Sequence, residues 1–567
     1  MSKFTVTAPT TADANGSYAG RPWSKQYAAG IPLDIVPEFT DMLSMLAASV
    51  DRDPNAAAIK YFDGLITFSQ LDERSTALAA ALISNGFEPG DRLGLYLQND
   101  PAFLYGLIAA WKAGGAGVCI NPMNKQRELT YLIKDSGAGM LLCLDSLYED
   151  VVAEVLAAGE VALKTVIVSS PLDDQTRNDV RVLPANRAAV PEGVLSLREL
   201  LVQFSDATVP AVSPGWDTLA VLTYTSGTTG EPKGAMNTHG GMAFNAQTFR
   251  DWAGLTLNDD ILGVAPLFHI SGLVGGIALM TLTGATLILS HRFESNVMMD
   301  SIREHKPAFT LGAITVFINL SHLEGLTHED WSCFRVIFSG GAAIAPAVNQ
   351  QFLEKSGIYI HTAYGLTETT SPSHLVPVGA RSPVDPTSGA LSVGLPTFNT
   401  MSRILDEDGA ELPAGEVGEI AIAGPQVVPG YWQRPDATAK GFPNGELLTG
   451  DVGFMDSDGW FYIVDRKKDL INASGYKVWP REVEDILYAH PAVREAAVVG
   501  VPDDYRGETV KAFVSLKPAK TATEKELIEF CKSQMAAYKY PRSIDIVDEL
   551  PKTTTGKILR RELRVKK

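Results

Sequence analysis

Between about residue 41 and residue 450, short apolar runs alternate with stretches of helical period. Arg92–Leu97, Gly139–Leu144, Thr165–Ser169 and Leu219–Tyr224 read as strands that are apolar along their length, and Gln70–Asn85 and Ala102–Ala113 read as helices. A strand apolar on both faces has no side to give to water, so helices must cover both. The alternation therefore predicts α/β architecture on stacked, mainly parallel sheets. Gly394–Gly430 breaks the pattern: its short strands, with turns at Asp408-Gly409 and Ala414-Gly415, predict a mainly β subdomain. The charged run Arg466-Lys467-Lys468-Asp469 then opens a new α+β pattern. Its helices are Arg481–Ala489 and Glu524–Ala537, and its strands Ala496–Gly500, Lys511–Leu516 and Ser543–Val547. The expected division is an N-terminal arm at 1–40 lying on the surface, a large N-terminal domain at 41–465 and a small C-terminal domain at 466–567.

One stretch imitates a membrane span. Ile261–Ser290 contains no Asp, Glu, Lys or Arg and is long enough to cross a bilayer. Pro266, His269 and five glycines interrupt it, and Thr283-Gly284 divides a helix-like Leu273–Leu282 from a strand-like Ala285–Leu289. The expectation is buried strand, loop, helix and strand, with no transmembrane segment. Lys and Arg total 48 against 66 Asp and Glu, a net charge of −18, which argues against a nucleic-acid partner. The four cysteines form no CxxC, the first residues lack the apolar core of a signal peptide, and a reducing, cytoplasmic location is expected.

The densest chemical signal is TSGTTGEPKG, Thr225–Gly234, directly after an apolar strand. Glycines let backbone approach a polyphosphate, hydroxyls and N–H groups bind its oxygens, and Lys233 adds positive charge. It is not a Walker A loop, because Pro232 stands where that pattern needs glycine. Alone it also fits a flexible Gly/Ser/Thr turn.

The motif resembles the phosphate loop of the adenylate-forming superfamily, which includes acyl-CoA synthetases, peptide-synthetase adenylation domains and beetle luciferases. Four further blocks match in the family's order: YGLTE (Tyr364–Glu368), TGD (Thr449–Asp451), DRKKD (Asp465–Asp469) and PKTTTGK (Pro551–Lys557). The resemblance runs from about residue 35 to the C-terminus and implies a mobile C-terminal domain. It implies that Thr225, Ser226, Gly227, Thr228, Thr229, Gly230 and Lys233 cradle the β- and γ-phosphates of ATP. Glu368, with Thr225, would hold Mg²⁺, a hard cation that takes a carboxylate and keeps waters. Tyr364, with Gly365 and Thr367, would meet the adenine side of the nucleotide. Gly340, Gly341 and Ala342, within SGGAA, would line adenine and acyl chain. Asp451 and Arg466 would bind the ribose, and Lys557 would reach the substrate carboxylate and the α-phosphate. Lys468 would be the hinge of a domain rotation after which Gly475 and Tyr476, within ASGYKVW, line the pantetheine path of CoA. His269, in PLFHISGL, matches a position at the entrance to the acyl pocket. Singly, each has a plainer reading: Asp451 a turn residue, Glu368 a surface carboxylate, His269 a core histidine, Lys557 one charge in the basic tail KILRRELRVKK.

The implied activity is that of an ATP-dependent acyl-CoA synthetase: carboxylate attacks the α-phosphorus, pyrophosphate leaves, and CoA thiol displaces AMP from the acyl-adenylate. Arg21–Pro32 (RPWSKQYAAGIP) resembles the N-terminal arm of bacterial medium- and long-chain fatty acyl-CoA synthetases, and the acyl-pocket segment Phe309–Leu320 is largely small or apolar. Two positions depart from the family: Gly312-Ala313-Ile314-Thr315 replaces G-V-P-T, and Asn472 stands where a cation is common. The alternatives are an acyl- or aryl-adenylating enzyme that loads the pantetheine of a carrier protein, and a non-catalytic nucleotide-binding protein. Peripheral membrane contact and a homodimer are compatible with this reading.

Overall fold

The computed structural model describes residues 18–225, 231–387, 389–466, 469–473, 476–503, 507–536, 538–553 and 558–565. Of residues 465, 466, 472, 476, 477, 507, 561 and 565 it describes the backbone alone.

The apolar runs become the inner strands of two large sheets. One has seven strands, in the order Leu195–Ser196, Thr165–Ser169, Met140–Leu144, Arg92–Tyr96, Ala116–Ile120, Leu219–Thr225 and Lys233–Thr238. All its pairings are parallel except the last, an antiparallel hairpin between Leu219–Thr225 and Lys233–Thr238. The other has nine strands; its inner members Ile360–Leu366, Val336–Gly340, Phe309–Gly312, Ile261–Leu262, Leu287–Leu289 and Ala57–Tyr61 pair in parallel.

Helices between the sheets are buried on most sides. Pro101–Lys112 has buried residues throughout from Pro101 to Trp111, and its Pro at the first turn costs no hydrogen bond. Phe68–Ser84 starts at a capping box in which Thr67 and Gln70 satisfy each other's backbone donors. These helices and His239–Ala253 join both sheets in one core, with Leu93, Leu95 and Ile167 from one sheet and Ile59, Leu287, Phe309 and Phe338 from the other. Ile261–Ser290 is the expected strand, loop, helix and strand. Its helical part runs from Ile270 to Thr283 with a π-helical stretch at Leu273–Ala278. Among the described residues no helix is long and apolar enough to cross a membrane.

The β subdomain is larger than expected. Met401–Leu405, Gly418–Ala423, Leu447–Met455 and Phe461–Arg466 make a four-stranded antiparallel sheet, so it extends past Gly430 to Arg466. The described part of the arm lies on the surface but is anchored by two buried rings. Tyr18 and Trp23 are 1% and 0% exposed and pack in the core of this sheet, where the Trp23 and Phe461 rings meet edge-on at 5.8 Å. Two large rings among polar residues are too sparse to show a period, which is why the sequence pattern misses their burial. Beyond Arg466, Ile471–Ala473, Tyr476–Val478, Val493–Asp503, Gly507–Leu516 and Ser543–Ile546 form a separate sheet, packed by helices Pro480–Ala489 and Glu524–Gln534 around its own apolar core.

Candidate active site

The phosphate-loop motif spans the turn of the antiparallel hairpin at the edge of the seven-stranded sheet. Ser226, Gly227, Thr228, Thr229 and Gly230 lie outside the described residues. The flanks are well defined. Thr225 sits opposite Lys233 in the ladder, and its hydroxyl donates to the Lys233 carbonyl at 3.5 Å. Tyr131 donates to the Pro232 carbonyl at 2.7 Å. On the far side, Met236 and Trp432 N–H groups bond the Gly430 and Gly234 carbonyls at 3.1 and 2.8 Å, which brings Tyr431 to the hairpin.

Tyr431 joins two of the expected residues. Its hydroxyl donates to Glu368 Oε1 at 2.7 Å, and Lys233 Nζ stands 5.1 Å from its ring centroid. Burial, then the charge of Glu368, holds its phenol well above the usual tyrosine range, so it remains a donor. Glu368 thus presents a carboxylate braced at one oxygen, with Lys233 on the other side of the Tyr431 ring. That donor chemistry fits Mg²⁺, which binds through few carboxylates and substrate phosphates rather than an all-protein cage. No cluster of three metal-ligating side chains occurs among the described residues.

The Glu368 turn is fixed from the hairpin. Asn237 is fully buried; its carbonyl oxygen accepts from Thr223, and its amide donates to the Thr367 carbonyl at 2.9 Å and to Thr370 Oγ1 at 3.1 Å. Asn245 donates to the Thr369 and Thr370 carbonyls at 3.0 and 2.6 Å. Thr370 and Ser371 are held at φ of 50° and 83°, a left-handed conformation costly for residues with a Cβ. Gly365 has no alternative: a Cβ there would lie 1.9 Å from the Ser371 carbonyl oxygen. Tyr364 donates to Asp451 Oδ2 at 2.9 Å, and Arg466 lies opposite Asp451 in the strand ladder. Tyr364, Asp451 and Arg466 are therefore neighbours.

A cavity of about 440 Å³ opens beside this frame. Gly340, Gly341, Tyr364, Gly365 and Thr367 line one part, and Val264, Phe268, Phe293, Leu311 and Val316 line another. His269 lines it too, half-buried, so it is not a sequestered core histidine. Its Nδ1 lies 3.3 Å from the Ser271 N–H, which donates to it, and 2.7 Å from Ser271 Oγ. Ala342 is exposed and is not among the lining residues; its neighbour Gly341 takes a φ of +80° at the cavity wall.

The model of the AMP-binding enzyme family matches residues 46–432, and that of the AMP-binding enzyme C-terminal domain matches 482–557. The chain belongs to the AMP-binding enzymes. It is 35% identical over 564 residues to a long-chain-fatty-acid–CoA ligase of Bacillus subtilis, covering 96% of this chain and 97% of the relative. It is 34% identical to a feruloyl-CoA synthase of an Amycolatopsis species, covering 90% and 96%. Among solved structures, the anthranilate CoA ligase AuaEII in complex with anthranoyl-AMP superposes with a TM-score of 0.82 at 27% identity, over 94% and 97% of the two chains. This AMP-binding enzyme is an ATP-dependent, AMP-forming acid–CoA ligase.

In this AMP-binding enzyme the C-terminal domain reaches the cavity: Glu549, Lys552 and Thr553 complete its lining. Lys557, Lys468 and Gly475 lie outside the described residues, and for Tyr476 and Arg466 only the backbone is described. The basic tail is more than a solvated face. Arg564 pairs with Asp469 at 2.9 Å, and Arg560 with Glu484 at 2.7 Å and Asp469 at 3.4 Å. The last residue of DRKKD therefore grips the helix Arg560–Val565 that follows PKTTTGK. Tyr431, Asn237 and Asn245 had no signature in the sequence; only their long-range contacts identify them.

Proposed function

We propose that the enzyme activates a medium- or long-chain fatty acid, with Mg²⁺·ATP, and passes the acyl group to free CoA. The carrying observation is the cavity, whose apolar wall of Val264, Phe268, Phe293, Leu311 and Val316 adjoins the Gly340–Gly341 and Tyr364–Thr367 segments. An alkyl chain gains about 0.8 kcal/mol per methylene buried against such a wall. The arm Arg21–Pro32 and the long-chain ligase relatives support the same reading.

In the first half-reaction, Thr225, Lys233 and the loop between them bind the β- and γ-phosphates, and Asp451 and Arg466 hold the ribose beside Tyr364. Glu368, oriented by Tyr431, and Thr225 would hold Mg²⁺, which supplies charge stabilisation to the departing pyrophosphate. Lys557 places positive charge between the substrate carboxylate and the α-phosphorus, where negative charge crowds. His269, which lines the cavity, orients the carboxylate end of the acid. In the second half-reaction, the domain at 466–567 rotates about Lys468, withdraws Lys557 and brings Gly475 and Tyr476 to the thiol path. The separate core of that domain supports its movement as a body. We place the enzyme in the cytoplasm.

An aryl acid is the second reading, favoured by the feruloyl-CoA synthase relative and by the polar Asn121 and Asn319 in the cavity wall. Pyrophosphate release across alkyl and aryl acids, with and without CoA, decides. Alkyl acids of eight or more carbons should give the highest CoA-dependent AMP formation. Preference for cinnamic or benzoic acids refutes the fatty-acid reading, and turnover only with a pantetheinylated carrier refutes free CoA.

A further inference from the structure

The helix Ile314–Ser321 has two occupied faces. Thr315, Val316 and Asn319 line the acyl cavity, while Ile314, Ile318 and Ser321, with His322, line a second, smaller cavity on its other side. That cavity lies at the seam between the two domains. Val348, Gln351, Phe352 and Lys355 close it from the large domain, and Tyr488, Val493, Arg494 and Lys517 from the small one.

Its floor is apolar and its rim carries one sign of charge. His322, Lys355, Arg494 and Lys517 converge there, and among the described residues none of the four pairs with a carboxylate. Their partners are neutral. Lys355 donates to the Ser321 carbonyl at 2.9 Å and Lys517 to Gln351 Oε1 across the seam at 3.4 Å. Arg494 donates to the Asp548 carbonyl at 2.6 Å and to Ser515 Oγ at 3.3 Å. The cluster perturbs itself: burial, and then Lys355 and Lys520, hold the Lys517 ammonium below the usual lysine range. Burial, and then Lys355, Lys517 and Arg494, disfavour the charged form of His322. The three cations Lys355, Arg494 and Lys517, drawn together by a domain contact, oppose that contact unless an anion joins them, and the neutral His322 beside them can donate to it.

We propose that this seam cavity is a binding site for a small oxyanion of the phosphate class, and that its occupancy favours the domain arrangement seen here. The volume, about 30 Å³, limits the occupant. One water needs roughly 10–15 Å³ of such space, so two or three oxygen-sized atoms fit inside, and because His322 and Lys355 are exposed the rest of a single tetrahedral oxyanion, or of a terminal phosphoryl group, stands at the open rim. Because Arg494 and Lys517 come from one domain and Lys355 and His322 from the other, the site exists only while the domains stand as they do, with Lys552 and Thr553 at the acyl cavity. An anion there pins this arrangement and the helix that walls the acid. The effect on the half-reactions rests on the domain alternation proposed above; the binding does not.

The test uses the full-length enzyme with AMP present to fill the nucleotide site. Inorganic phosphate and glycerol phosphate are titrated calorimetrically at constant ionic strength against wild type and the Arg494→Gln/Lys517→Gln double variant. Saturable binding of either ligand that the variant weakens at least ~tenfold supports the site, since charge-assisted contacts to an oxyanion dominate such affinities. The tighter ligand names the source, free phosphate or a phosphoryl end. Equal binding by wild type and variant, or none by wild type, overturns the site. Lys355→Gln serves as a second variant on the other domain and should weaken the same binding. In single turnovers, phosphate should slow thioester formation from supplied acyl-adenylate in wild type several-fold and leave the double variant unaffected. Equal slowing in both overturns the link to domain arrangement while leaving the acid-class assignment untouched.

Discussion

Tyr431→Phe removes one oxygen and asks whether Glu368 works as a braced ligand. The wild-type hydroxyl donates to Glu368 Oε1 at 2.7 Å. A hydrogen bond to a charged group contributes about 1.5–3 kcal/mol, and one decade of rate corresponds to about 1.36 kcal/mol. Loss of the brace should therefore reduce adenylate formation by roughly 10- to 150-fold at limiting Mg²⁺. Excess Mg²⁺ should recover part of that loss, because the carboxylate itself is retained. The phenyl ring keeps its edge-on contact with Phe442 at 5.4 Å and its place beside Lys233, so the melting temperature should move by only a few degrees. The assay is pyrophosphate release in the absence of CoA, measured against Mg²⁺ concentration, with Glu368→Gln beside it. If Tyr431→Phe follows the wild-type Mg²⁺ curve, the hydroxyl does not position a metal ligand and the site argument built on it fails.

Three other perturbations follow from the same geometry. Asp451→Ala removes the partner of the Tyr364 hydroxyl together with the proposed ribose ligand, and should cost about 1.5–3 kcal/mol in kcat/KM for ATP; an unaltered ATP dependence places Asp451 outside the nucleotide site. Lys557→Ala should abolish adenylate formation yet spare thioester formation from supplied acyl-AMP, whereas Lys468→Pro should do the reverse; equal slowing of both steps by each variant refutes alternation about Lys468. Acid should destabilise the fold through buried histidines, because burial lowers His239 and His361 to about 4 and His291 and His374 to about 3. These groups stay neutral when folded, so the unfolded chain takes up their protons first as pH falls below about 6.5; stability is present above that pH and lost down to about 3–4. His374→Gln should flatten urea-measured stability against pH in that window by about 1.4 kcal/mol per pH unit, and an unchanged slope refutes the assignment.

The fold was legible where burial is two-sided. Thr165–Ser169 begins and ends where its apolar run does, and Met140–Leu144 starts one residue inside its predicted bounds, because a strand covered on both faces carries its signal in every residue. The helix Glu524–Gln534 stops short of its predicted end, its last turn giving way to extended backbone at Met535. The β subdomain was read too short because half of its sheet comes from Leu447–Met455 and Phe461–Arg466, beyond the turn-rich stretch that announced it. The burial of Trp23 was not legible because its partners Phe461 and Gly459 lie more than four hundred residues away, and a lone aromatic in a polar arm carries no period.

The site divides along the same line. The residues proposed to meet the nucleotide through contiguous backbone are contiguous in sequence, so Thr225–Lys233 and Tyr364–Glu368 are readable as blocks. Residues that aim those blocks need only arrive in space. Asn237 reaches Thr367 across 130 positions and Tyr431 reaches Glu368 across 63, with nothing in their neighbourhoods to mark them. Their work is nonetheless specific. Asn237 is the buried amide that ties the phosphate hairpin to the strained turn at Thr370, and Tyr431 touches both the cation and the anion that flank the loop. A displacement of the hairpin is therefore felt at Glu368 through two independent contacts, one on the backbone of its turn and one on its carboxylate. That double linkage couples the strands flanking the loop to the Glu368 turn, whose Thr370 and Ser371 are held at φ of 50° and 83°, a left-handed conformation costly for residues with a Cβ.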